Sequence, residues 1–309
     1  MKITIKAVLL FAVVTVVTLG ALVAVVVPSG YQDRPGQTSP AARDGYDLAR
    51  RITDFTRDTV GHSHYQRPLR AQRRTVAEGV GLFLDGHRAE AGRRLAEVDF
   101  GIRTFTDTGT GRRFAEIADR AAEARRGWGR VYVDLGTAVR WSVQVPHPVA
   151  DARSEQLGIG VLRARPGGVL VLAGAHRNAG EGDRADVAHR SDTVFDVVCD
   201  ELVARRLPGL QVHGFADATE PDYDVIASTG KGDQGRTAAR RTAAALRQKG
   251  FDVCQAWSRR CALEGRSNEQ GRRAAADGVP FLHMEFSRSV RDDENRMRQA
   301  VAALAATLP

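Results

Sequence analysis

The feature that most constrains the fold is a regular alternation of strand and helix patterns between residues 130 and 308. The clearest strand, residues 168–174, has no polar side chain, which is typical of a strand buried on both faces. Helical patterns separate the later strands, and this order predicts a mixed, mainly parallel sheet flanked by helices. Ligands of such a sheet bind beyond the carboxyl ends of its strands.

The other elements follow from the same hydrophobic periodicities. Residues 130–134 and 139–145 indicate a hairpin around Leu135-Gly136-Thr137, and the alanine-rich residues 113–126 indicate a helix. Further strands are expected at 99–106, 210–213, 223–228, 251–256 and 281–286. Further helices are expected at 43–59, 69–98 with an interruption at Gly86, 191–206, 235–249, 268–277 and 292–308.

A long apolar segment precedes these elements. Residues 7–27 contain no charged side chain and follow two lysines. Their length suits a bilayer span with the basic end in the cytoplasm, which favours an N-terminal transmembrane anchor over a cleaved signal peptide. Both alternatives place the body outside the cytoplasm. Residues 28–42 are rich in Pro, Gly and Ser and predict a linker, followed by a helical segment at 43–126 and an α/β domain at 127–309.

The net charge of +8 does not indicate a nucleic-acid surface. Basic residues alternate with acidic ones along the predicted helices, as on solvated faces, although an anionic substrate is compatible with the charge. Export makes the cysteines informative, because disulfides persist in oxidising compartments. Cys254 and Cys261 are close enough for a small-loop disulfide, and Cys199 lies in an apolar helix that suggests a buried thiol. The sequence alone does not decide the pairing.

Two predicted strand ends carry side chains suited to metal binding. His147 lies between two prolines, which favour extended backbone at a strand end, and Asp151 and Glu155 follow closely. His213 ends another predicted strand. A hydrolytic zinc site needs three protein ligands and one open position. The two histidines and one of the two carboxylates would supply these ligands.

A third strand end carries a candidate base. Glu285 lies in an otherwise apolar strand, where a carboxylate is costly unless it is paired or functional. Desolvation would raise its pKa, as suits a general base, whereas an ion pair with Arg288 or Arg291 is the alternative. Arg177, Arg190 and also Arg288 are candidates to hold a substrate carboxylate, because a guanidinium can bind one through two hydrogen bonds.

The order His147…Glu155…His213…Glu285 on an alternating α/β chain resembles the zinc carboxypeptidase-like group, which includes poly-γ-glutamate hydrolases, N-formylglutamate amidohydrolases and N-acetylmuramoyl-L-alanine amidases. The resemblance covers about residues 130–290 and implies a phosphorylase/hydrolase-like fold. It also implies a Zn²⁺ ion held by His147, Glu155 and His213, with Glu285 as the base. Because the interval from His147 to Glu155 is longer than the His-x-x-Glu of carboxypeptidases, Asp151 is the alternative carboxylate ligand.

These observations predict an exported, membrane-anchored, zinc-dependent amidohydrolase or peptidase. Its substrates would be envelope or glutamyl-type amides, peptide-like and anionic. The alternative from another class is a non-catalytic envelope-binding domain that retains the hydrolase fold. A third interpretation is a different hydrolase that uses Ser228-Thr229 and a histidine.

Overall fold

The computed structural model describes residues 45–60, 64–120 and 126–309. The expected transmembrane segment 7–27 and linker 28–42 lie outside these residues. Within the described ranges, no helix combines the length and the hydrophobicity needed to cross a bilayer.

A ten-stranded sheet forms the centre of the described part. In chain order its strands are β1 Gly45–Tyr46, β2 Phe100–Asp107, β3 Arg113–Asp119, β4 Arg130–Asp134, β5 Trp141–Val145, β6 Gly168–Leu172, β7 Gly209–Phe215, β8 Val225–Ser228, β9 Val253–Gln255 and β10 Phe281–Ser287. In space their order is β1-β2-β3-β4-β6-β5-β7-β10-β8-β9. The four central strands β6, β5, β7 and β10 are parallel to one another, whereas β3, β4 and β8 introduce antiparallel pairs.

Helices cover both faces of the sheet. They are α1 Leu48–Phe55, α2 Arg70–Leu84, α3 Arg88–Ala96, α4 Ser154–Ala164, α5 Val194–Ala204, α6 Arg236–Gln248, α7 Glu269–Ala276, α8 Arg288–Asp292 and α9 Glu294–Thr307. One apolar core lies between the sheet and α1, α4, α6 and α9, and a second lies beneath α2, α3 and α5. The prediction of a mixed, mainly parallel α/β fold is therefore confirmed, as is the interruption between α2 and α3, where Gly86 has a φ of 86°.

The predicted helix at 113–126 is wrong over its first half, where β3 forms. This strand pairs antiparallel with β2 on one side and β4 on the other. Phe114 faces one apolar core and Ile117 the other, so the strand is buried on both faces. Alanine favours helices by only a few tenths of a kcal/mol per residue, and this weak preference yields to pairing and burial. Residues 121–125 lie outside the described ranges.

The predicted hairpin of β4 and β5 is also wrong, although both strands form. β6 lies between them, antiparallel to β4 and parallel to β5. Every side chain of β6 is buried. A strand with no polar face gains most in the interior, where both of its edges make hydrogen bonds, so β6 takes the place between β4 and β5.

Strands from both sides of the expected domain boundary at residue 126 belong to this one sheet, because β3 pairs with β4 across it. The described residues form one compact unit. Cys254 and Cys261 form a disulfide, and Cys199 is free and buried, as their sequence positions indicated.

Asp196 in the first turn of α5 makes the stability of this fold depend on pH. Burial, reinforced by the charge of Asp200, raises the pKa of Asp196 from 3.8 to about 7. Because the folded state binds this proton more tightly than the unfolded state, the contribution of Asp196 to the free energy of unfolding falls as the pH rises from about 4 to about 7. The shift corresponds to on the order of 4 kcal/mol.

We therefore expect Asp196→Asn to raise the melting temperature at pH 8 and to raise it much less at pH 5. Asparagine removes the buried charge but can still accept the hydrogen bond that Gln270 donates to Asp196. Thermal unfolding of both proteins at the two pH values measures the difference. An equal change at pH 5 and pH 8 would contradict this account.

Candidate metal centre

A row of buried polar side chains crosses one face of the central strands β5, β7 and β10. The residues that share this face are Ser142, Gln144, Gln211, His213, His283 and Glu285. They alternate with apolar residues, so the strand period of two directs them all to one side. The strand register places Gln144 beside Gln211, Gln211 beside His283, and His213 beside Glu285. Buried polar groups need partners, and neighbours in this row supply them to Gln144, Gln211 and His213.

The two predicted histidine ligands meet at the carboxyl edge of these strands. His147 lies two residues beyond the end of β5. Asp151 Oδ2 lies 3.1 Å from Nδ1 of His213 and 3.4 Å from Nδ1 of His147, and the two rings are 5.1 Å apart. One ligand atom from each of the three residues lies within 4.8 Å of the others. The structure therefore brings together two imidazoles and one carboxylate, all buried.

Contacts at the Nε2 atoms of both histidines orient their Nδ1 atoms. Nε2 of His147 lies 2.8 Å from Oδ1 of Asp186, which only accepts when ionised, so this nitrogen carries a proton. Nε2 of His213 lies 2.7 Å from Oε1 of Gln211 and likewise donates. Both Nδ1 atoms therefore face Asp151, and Nδ1 of His147 has no hydrogen-bond partner in the part of the chain that the structure describes. Such a group of acceptors requires a proton or a cation between them.

The pKa shifts agree with that requirement. Burial alone would raise the pKa of Asp151, but the imidazoles of His147 and His213 beside it outweigh burial and lower that pKa. Burial lowers the pKa of His213. Despite burial, the pKa of His147 is raised, because Asp151 and Asp186 stabilise the imidazolium. A positive charge between these groups, carried by a proton or by a metal ion, would offset the charge of the carboxylate.

The chemistry of this donor set fits zinc. Two imidazole nitrogens and one carboxylate oxygen form the protein part of many catalytic zinc sites, which leave one position open for water. An outer carboxylate such as Asp186, hydrogen-bonded to a ligand histidine, is the usual second partner of such a histidine. The unpartnered Nδ1 of His147 is the atom that the ion would satisfy.

Glu285 is placed to act on a group bound at this centre. Its Oε2 is buried and has no hydrogen-bond partner within the described ranges, and its Oε1 lies 3.9 Å from Nε2 of His283. Burial, followed by the charge of Asp151, raises the pKa of Glu285 well above its ordinary value. His213, His283 and Glu285 form a second group of adjacent ligand types, which shares His213 with the first.

Glu155 does not join the two histidines. Asp151 lies in the turn before α4, whereas Glu155 lies in the first turn of the helix itself. Arg153 between them has a φ of 69°, so the two carboxylates do not share a helical face. Glu155 accepts a hydrogen bond from Gln156, its Oε2 has no partner among the described residues, and burial raises its pKa.

The three predicted substrate-binding arginines all have partners within the protein. Arg177 donates to Oδ2 of Asp186 at 2.6 Å, so it belongs to the outer layer of the centre. Arg190 donates to a backbone carbonyl in its own loop, and Arg288 to a carboxylate one helical turn away. Of the three, Arg177 is the one whose charge acts on Glu285.

Arg291 holds the end of the sheet together. It is buried and donates to the backbone oxygens of Phe286 at 3.0 Å and Phe215 at 2.9 Å, and to that of Ala152. These oxygens belong to β10, β7 and the turn that carries the candidate carboxylate ligand. A side chain at Gly214 would collide with the guanidinium, which crosses the strand there. Arg291 is thus a structural residue, which the sequence indicated only as an ion-pair partner for a glutamate.

Sequence reasoning gave no role to Asp186, Gln211 or His283. The alternation of polar and apolar residues in Gln-Val-His and His-Met-Glu was a usable signal for Gln211 and His283, because it places them on the face that carries the predicted ligand and base. Nothing local marks Asp186, which lies 39 positions from His147 in the chain.

No protein-family model matches the chain, and no curated protein is significantly similar to it. Among solved structures, N-formylglutamate amidohydrolase from Ralstonia eutropha JMP134 aligns at 12% identity with a TM-score of 0.40, over 57% of this chain and 95% of that one. A carboxypeptidase A-like protein from Shewanella denitrificans aligns at 13% identity with a TM-score of 0.40, over 69% and 65% of the two chains. Tripeptide-bound Csd4 from Helicobacter pylori aligns at 10% identity with a TM-score of 0.38, over 55% and 51%.

N-formylglutamate amidohydrolases and carboxypeptidases are also the proteins that the residue order resembles. At such identities and TM-scores the chemistry has to be derived from the side chains of this chain.

Proposed function

We propose that this protein is a zinc-dependent hydrolase of amide or peptide bonds, with His147, Asp151 and His213 as the ligands. The observation that carries the proposal is the meeting of two Nδ1 atoms and a carboxylate oxygen, with Nδ1 of His147 unpartnered. Asp151 replaces Glu155 as the proposed carboxylate ligand.

Glu285 is the proposed general base. Bound zinc supplies Lewis acidity, which polarises the scissile carbonyl and makes water easier to deprotonate. The free Oε2 of Glu285 accepts the proton of the attacking water and passes it to the leaving amine. Burial raises the pKa of Glu285, which makes its carboxylate a stronger proton acceptor than an exposed one.

The proposed location is outside the cytoplasm, with residues 7–27 as a membrane anchor or export signal. Support comes from the uncharged length of that segment and from the Cys254–Cys261 disulfide, since disulfides persist in oxidising compartments. The proposed substrates are anionic amides of peptide or glutamyl type, in keeping with the net charge of +8. Arg177 is the proposed contact for a substrate carboxylate, with Arg190 and Arg288 as further candidates.

We expect the purified full-length chain to bind one equivalent of zinc, and His147→Ala and His213→Ala to lose it. Each substitution removes one of the three proposed ligands. Metal analysis after dialysis, with a hydrolysis assay over peptides, muropeptides and poly-γ-glutamate, measures both properties.

His283→Ala is the matched control, because His283 is also buried and its ring lies 4.6 Å from that of His213. It should retain zinc; loss of zinc from this variant but not from His147→Ala would move the centre to the second ligand group. A folded wild type that binds no zinc would favour the non-catalytic envelope-binding alternative.

A further inference from the structure

We infer that Gln211, Asn268 and Gln270 are positioning residues that lock His213 in the tautomer with its proton on Nε2. Nδ1 of the same ring then faces the candidate metal position and Oδ2 of Asp151, which lies 3.1 Å away. The three residues form a buried chain of amides behind His213, which we name the amide relay. The identity of the ion rests on the proposed function, whereas the tautomer can be tested without any metal.

Gln211 is the centre of the relay. Its Nε2 donates to Oε1 of Gln144 and to Oε1 of Gln270, each at 3.1 Å. Its Oε1 accepts from Nε2 of His213 at 2.7 Å and from Nδ2 of Asn268. A primary amide offers two hydrogens and two lone pairs, and all four are used here. Its partners therefore fix which end of the Gln211 amide faces His213.

Two backbone groups set the direction of the relay, because neither can reverse its role. The carbonyl of Val187 only accepts, so the atom of Gln270 at 2.9 Å from it must be the amino group. Oε1 of Gln270 then faces Gln211, so the atom of Gln211 that contacts it must be the amino group. Oε1 of Gln211 is left facing His213, so the nitrogen that meets it must carry the proton.

The second backbone group, the N–H of Gly271, fixes the same orientation of the Gln211 amide. The backbone N–H of Gly271 only donates, so the atom of Asn268 that it meets at 3.0 Å must be Oδ1. The amino group of Asn268 then faces Gln211, and only a carbonyl oxygen can accept from it. Both backbone groups come from the start of α7 or the loop against it, so docking of this helix determines the tautomer of His213.

Gln144 contacts the same amino group of Gln211 but does not fix the orientation of that amide. Its own amino group lies 3.4 Å from the hydroxyl of Ser142, which can either donate or accept. Gln144 is as deeply buried as Gln211 and lies beside it in the neighbouring strand. It is therefore a matched control, because its loss removes a buried hydrogen bond without changing the direction of the relay.

The decisive variant is Asn268→Asp. Aspartate can still cap α7 by accepting from Gly271, so the helix end is retained. It cannot donate to Gln211, and its carboxylate instead favours rotation of the Gln211 amide, which would present an amino group to His213. We expect His213 to lose its single tautomer and zinc affinity to fall about 10- to 100-fold, as on loss of outer partners of metal ligands elsewhere.

The measurement is the pair of imidazole ¹⁵N shifts of His213 in metal-free, full-length protein labelled at histidine. The His213→Asn variant assigns the signal, and zinc affinity is obtained by competition with a chelator. Wild type and Gln144→Leu should both show the proton on Nε2. Asn268→Ser, which keeps a neutral cap but is too short to reach Gln211, should weaken this preference and covers the case in which Asn268→Asp does not fold.

A wild-type His213 that lacks a proton on Nε2 would overturn the inference, as would equal changes in the relay variants and in Gln144→Leu. If the tautomer responds as expected but neither the wild type nor any variant binds zinc, the positioning role stands and the proposed function fails.

Discussion

Replacing Glu285 with glutamine is expected to abolish hydrolysis while zinc remains bound. Glutamine has the same shape but cannot take up the proton of the attacking water. General acid–base catalysis contributes roughly 10²–10⁴-fold, so a loss of that size in kcat is expected with little change in KM. Removing a buried carboxylate whose Oε2 has no partner should also leave stability unchanged or raised.

Zinc content and melting temperature, measured on the same preparation, separate this result from loss of the fold. A Glu285→Gln variant that keeps zinc and full activity would exclude Glu285 as the base. A variant that loses zinc would instead show that Glu285 is a ligand. The metal would then be placed at the second ligand group, formed by His213, His283 and Glu285.

The central part of the fold could be predicted because its signals are local. The apolar run of β6 and the helices after it mark a buried parallel sheet without knowledge of any distant contact. The neighbours of each strand could not be predicted in this way. β3 is a strand because β2 and β4 hydrogen-bond to both of its edges, and β5 is separated from β4 because β6 comes between them. These choices depend on contacts between residues far apart in the chain.

In the candidate site, too, some residues could be predicted from local sequence and others depend on distant contacts. His147, His213 and Glu285 could be identified because carboxyl ends of parallel strands share one edge of a sheet. Their outer partners could not: Asn268 reaches Gln211 across 57 positions of sequence. Residue type alone makes Asn268 equally suitable as a helix cap or as a partner in the core.

The choice between Asp151 and Glu155 as the ligand depends on the left-handed backbone at Arg153, and substitution of each carboxylate tests it. We expect Asp151→Asn to lower zinc affinity by more than the roughly 10- to 100-fold that outer partners contribute. The substitution removes the negative charge from a carboxylate that lies within 3.4 Å of both Nδ1 atoms. Chelator competition measures the affinity.

Glu155→Gln is the matched control, because Glu155 is also buried and acidic but lies beyond the left-handed turn at Arg153. It should keep zinc and melt at the same or a higher temperature, since burial already disfavours its charge. If Glu155→Gln loses zinc and Asp151→Asn retains it, α4 must begin earlier in the metal-bound protein, so that Glu155 turns towards the histidines. If both variants lose zinc, both carboxylates contribute to the centre, and a three-ligand site with a single carboxylate is excluded.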